Sequence, residues 1–120
     1  MPSPSTRSLA ASLERALRAA ASPERAEHER RYLASSLVHL GASVPAIRKA
    51  VVATSRAHPG MTRERLLPLV ELLWARGIHE CRAAAIELLG LHVDRLAAAD
   101  LGTVERLLRE ARTWALVDNL

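Results

Sequence analysis

An all-α fold is what this sequence predicts, on three observations. Ala (22) and Leu (20) supply 42 of the 120 residues, and both favour helix. No stretch alternates apolar and polar residues with the period of two that a half-buried strand needs. Apolar residues instead recur at helical spacing between Gly and Pro breaks. With no Phe and one Tyr, the core falls to Leu, Ala and Val. Small Ala side chains let helices approach closely, and Leu fills the gaps.

The elements follow in order. Residues 1–5 read as a disordered lead. A first helix spans about 6 to 21, with Leu9, Leu13 and Leu17 in one row. Ser22-Pro23 is an N-cap followed by Pro at the first helical position. The second helix is expected to reach about Leu40, turning Leu33, Leu37 and Leu40 inward, and Gly41 ends it with a left-handed cap. Ser43-Val44-Pro45 starts the third, with Ile47 and Val51 on its face. After His58-Pro59-Gly60, Thr62 caps a fourth carrying Leu66, Leu69, Val70, Leu73 and Trp74, the stripe of a buried face. Gly77 breaks it. A fifth repeats the stripe as Cys81, Ala84, Ala85, Leu88 and Leu89, with Gly90 expected to close it. A short segment from Asp94 to Ala99 leads to a sixth, capped by Asp100 and carrying Leu101, Val104, Leu107 and Leu108. Thr113 can cap a seventh.

Helix starts near 23, 62 and 100 are spaced by about 40 residues, each opening a helix pair, which is the unit of a HEAT-like repeat. The expected architecture is an α-solenoid of HEAT-like helical repeats with six to seven helices over residues 6–120. Leu116, Val117 and Leu120 are apolar and no later repeat covers them, so the domain is expected to be incomplete there, or covered by a partner or a dimer.

Composition excludes several classes. One cysteine, Cys81, allows no internal disulfide and fits a reducing cytoplasm. The first residues carry no apolar signal segment, and no run approaches the roughly 18 apolar residues of a membrane span. His28, His39, His58, His79 and His92 show no metal-ligand spacing. His79-Glu80 lacks the second His of a zinc-protease helix, and no phosphate loop or Gly-x-Ser-x-Gly elbow is present. Cys81 and Trp74 sit on apolar stripes and read as packing.

Sixteen Arg and one Lys against 13 acidic residues give a formal net charge of +4, mild for a duplex binder. These cations read as a solvated surface partly paired with Glu. In a solenoid, however, repeated positions line one concave surface, where Arg48, Lys49, Arg82 and Arg112 can track phosphates. Trp114 and Asp118 lie one helical turn apart at the rim of an apolar arc. Spacing alone favours a boundary Trp beside a surface Asp.

Two stretches resemble a known family, the AlkD-like DNA alkylation repair proteins, which are alkylpurine DNA glycosylases built from HEAT-like repeats. The first runs from Tyr32 through Leu40-Gly41 to Val44-Pro45-Ala46-Ile47-Arg48. The second joins Leu73-Trp74, His79-Glu80 and Ala83 to Leu89 with Arg112-Thr113-Trp114 and Val117-Asp118. The likeness covers about residues 24 to 120. It implies double-stranded DNA as partner, an alkylated purine as target, and hydrolysis of the N-glycosidic bond without metal or cofactor. It implies Asp118 as the catalytic carboxylate, with Trp114 and Tyr32 as substrate contacts. Where the family usually carries Lys, this chain has Ala34, and the family continues into further helices. Such a protein is expected in the cytoplasm, on the nucleoid when bound to DNA. The rival reading is a non-catalytic HEAT-repeat module that binds DNA or a protein partner.

Overall fold

The computed structural model describes residues 5–33, 37–59, 61–92 and 100–110. Among them are six helices: α1 (Thr6–Ala19), α2 (Pro23–Tyr32), α3 (Val44–Ala57), α4 (Arg63–Ala75), α5 (His79–Leu91) and α6 (Leu101–Glu110). The fold is all-α, in the manner of a helical repeat, as the composition and periodicity imply.

Local chemistry explains most boundaries. Ser5, Ser22 and Ser43 each accept a backbone N–H three residues on, capping α1, α2 and α3. Pro follows the cap within two residues in α2 and α3, where its missing N–H costs nothing. Ser5, the last residue of the expected lead, is the N-cap of α1, and residues 1–4 lie outside the described residues. Thr62 precedes α4 but makes no side-chain capping bond.

The core is one cluster. Leu9, Leu13 and Leu17 of α1 meet Ile47 and Val51 of α3, the α4 stripe from Leu66 to Trp74, and the α5 stripe from Cys81 to Leu89. Leu107 of α6 is buried in the same cluster, and Val104 packs against it. α5 is buried around most of its circumference because α1, α3 and α4 all pack on it. The second helix contrasts with it: α2 buries no residue at all.

Consecutive pairs are in register. Arg48 of α3 pairs with Glu87 of α5, and Ser55 of α3 hydrogen-bonds His92 just past α5. Both links join residues nearly 40 apart and rise together along the two helices, so α3 and α5 run side by side in the same direction. Arg106 of α6 pairs with Glu71 of α4, another link of that kind.

Three expectations need correction. The second helix ends at Tyr32, not near Leu40. Val38 instead forms a parallel bridge with Ile78: its N–H donates to the Gly77 carbonyl at 3.0 Å and its carbonyl accepts from the His79 N–H at 2.8 Å. Residues 38–40 run extended because these partners, together with Glu80, take the backbone groups a helix would have used. Gly41 has φ +80, as a left-handed position requires, but it follows this extended segment and caps no helix. Gly90 does not close α5, which continues to Leu91. The expected seventh helix and the segment 94–99 lie outside the described residues.

Candidate functional site

The side-by-side α3 and α5 build a face with two depressions. One, of about 330 Å³, opens between α2, α3 and α5, and Tyr32, His28, Val44, Ile47 and His79 are among its lining residues. The other, of about 230 Å³, lies farther along, between Arg48, Val51 and Val52 on α3 and Ile86, Glu87 and Gly90 on α5. Helical spacing along both helices links them, because 44, 47, 48 and 51 share a side of α3, as do 83, 86, 87 and 90 on α5.

Tyr32 ends α2 with 82% of its surface exposed, so its ring is free to meet a large partner. Arg48 is mostly exposed, and its Nε lies 3.2 Å from Glu87 Oε1. A pair so wetted holds the guanidinium in place but contributes little stability. Lys49 beside it is exposed. Arg82 is less accessible, and its guanidinium sits 4.8 Å from the Trp74 ring centroid, a cation–π arrangement. Tyr32 and Arg48 thus line the two depressions of one face, whereas Arg82 lines neither and its guanidinium lies over Trp74 of α4. Arg112, Trp114 and Asp118 lie outside the described residues.

Behind the larger depression is a polar cluster that sequence spacing did not reveal. Glu29, His39, His79 and Glu80 each offer a donor atom, and the four lie within 4.8 Å of one another. Glu80 is fully buried. Its Oε1 accepts the Leu40 N–H at 2.8 Å and its Oε2 the Gly41 N–H at 3.0 Å. These two bonds hold the extended segment onto the start of α5, and the low local dielectric strengthens them. Gly41 must be Gly for this: a Cβ there would lie 2.0 Å from the Ser22 carbonyl oxygen at the start of α2.

The imidazoles of His39 and His79 stack, with centroids 4.5 Å apart and planes 12° from parallel. His39 Nδ1 is 3.8 Å from Glu29 Oε2, too far for a hydrogen bond. Both ring nitrogens of His39 and Nδ1 of His79 are buried without a hydrogen-bond partner. Burial pushes the His79 pKa down; Glu80 pulls it back and His39 adds to the depression. Burial also raises the Glu29 carboxyl, with the Glu80 charge adding to it. Cys81 is buried among apolar side chains, and burial pushes its thiol up to about 12, so it packs and does not attack.

No sequence motif could have found this cluster, since Glu29, His39 and the His79-Glu80 pair lie far apart in the chain and no two members have helical ligand spacing. No helix among the described residues is long and apolar enough to cross a membrane. A family model described as DNA alkylation repair enzyme matches residues 13–120. No curated protein matches the chain.

Proposed function

Because the chain belongs to the DNA alkylation repair enzyme family, we propose that it is a glycosylase that hydrolyses the N-glycosidic bond of alkylated purines in double-stranded DNA. The observation that carries this is the family match over residues 13–120, which spans both motif stretches and ends beyond Asp118. The exposed Tyr32 and the cations Arg48 and Lys49 beside the α3/α5 face support it.

A purine alkylated on a ring nitrogen is already cationic and leaves without a strong general acid. The C1′–N bond breaks, its electron pair departs with the purine, and the sugar becomes oxocarbenium-like. Asp118 stabilises that positive charge and orients the water that adds at C1′; the water's proton passes to the carboxylate or to solvent. The products are free alkylpurine and an abasic site. The indole face of Trp114 favours the same developing cation. Arg48, Lys49, Arg82 and Arg112 contact backbone phosphates, and HEAT-like repeats supply their common surface.

Purified protein is expected to release alkylpurine from methylated duplex DNA. Asp118→Asn should lower the rate on the order of 10²-fold or more, the scale of removing one preorganised electrostatic partner. Release no faster than the variant's would leave the non-catalytic binding module, whose duplex affinity would be indifferent to Asp118→Asn.

A further inference from the structure

We infer that Glu29, His39, His79 and Glu80 form a binding site for one divalent transition-metal ion of the zinc type, which fastens α2 to the body of the fold. The donor set is two imidazoles and two carboxylates, a combination that suits zinc. It is gathered from three places: Glu29 on α2, His39 on the extended segment, and His79 with Glu80 at the start of α5.

Several observations point to an ion rather than to ordinary packing. The His39 side chain is only 1% exposed, yet neither ring nitrogen has a hydrogen-bond partner, and His79 Nδ1 has none either. Buried polar atoms left in this state are costly, and a native fold rarely keeps three together. A metal ion takes the in-plane lone pair of one nitrogen on each neutral imidazole, so it would satisfy two of these three atoms. The two carboxylates match the charge of a divalent ion.

The surroundings also fit. Glu80 is oriented by the Leu40 and Gly41 N–H groups, the outer-shell support that ligating carboxylates commonly have. Each of its oxygens accepts one hydrogen bond and keeps a lone pair. Glu29 and His79 also line the 330 Å³ depression, which gives an ion a path from solvent. Tetrahedral zinc with bonds of about 2.0–2.1 Å sets its ligand atoms roughly 3.3 Å apart. Atoms now within 4.8 Å must therefore draw closer by about 1 Å or more and the rings must turn, motions that the broad terminal torsions of His and Glu allow.

The consequence falls on α2. It buries no side chain, so the apolar core does little to hold it. A bond from Glu29 to an ion shared with α5 would fix it, and Tyr32 stands one turn beyond Glu29.

The test uses the full chain, stripped with chelator and titrated with zinc chloride. Calorimetry and native mass spectrometry should find one ion per chain. His39→Leu, which keeps an apolar filler, and Glu29→Gln, on a half-buried position, should each weaken binding by at least the 10- to 100-fold that losing an outer-shell partner costs. Zinc should slow tryptic cleavage at Arg25, Arg30 and Arg31 of α2 about tenfold in the native chain and not in His39→Leu. Circular dichroism confirms that each variant is folded, and Glu29→Gln serves if His39→Leu is not. Three results would overturn the site: no zinc binding, binding that both variants retain, or binding that leaves α2 cleavage unchanged.

Discussion

Gly41 and Gly77 both have positive φ, at +80 and +66, yet different constraints act on them. A Cβ at Gly77 meets nothing within 4 Å, whereas at Gly41 it strikes the Ser22 carbonyl oxygen at 2.0 Å and the Ala26 nitrogen at 2.7 Å. Gly77→Ala should therefore cost only the ~1–2 kcal/mol of the left-handed conformation. Gly41→Ala should cost clearly more, because α2 and the Glu80 clamp must separate. Equal losses in urea unfolding would refute the close approach. Cys81 offers a second residue-level check. With its thiol raised to about 12 and no exposed surface, it should resist thiol reagents at pH 8 in the native chain and react once denaturant opens the core. Rapid native labelling would show that α5 is not packed as described.

At the scale of elements, stability is unevenly placed. α1 inserts Leu9, Leu13 and Leu17 into the core, so Leu13→Ala should cost about 2–5 kcal/mol by chemical denaturation, the range for truncating a buried Leu. A smaller loss would mean that α1 is peripheral. The local pattern was read correctly for α1, α3, α4 and α5, because spacing at i, i+3 and i+4 describes a face whatever it packs on. It misled at Val38 to Leu40, which are not helical. Leu33, Leu37 and Leu40 have the spacing of a helical stripe, but the Leu33 N–H closes α2 on the Glu29 carbonyl, while the backbone of Val38 and Leu40 bonds residues about 40 positions on. Gly90 misled for a milder reason: Gly lowers helix propensity without forbidding helix.

For the whole molecule, register between repeats turns separate helices into a surface. Arg48 and Glu87 meet because α3 and α5 lie parallel, and Tyr32 borders the same face. If this face carries DNA, duplex affinity should fall steeply with salt, and Arg48→Gln should reduce the slope of log K against log salt by about 1. Stability should hardly change, since the pair is wetted. An unchanged slope would remove Arg48 from the interface.

The sequence by itself determined the helical class, the stripes that fill the core, the helix starts at Ser22 and Ser43 and the family, because each is written in neighbouring residues. It also supplied Tyr32 and Arg48 as candidates. Only the tertiary structure decided where α2 stops, why Gly41 must be Gly, and that Glu29, His39, His79 and Glu80 share one buried place. Those outcomes depend on contacts between residues up to about 50 positions apart, formed when a backbone segment gives up its own helix to bond a buried carboxylate. No local period records that exchange.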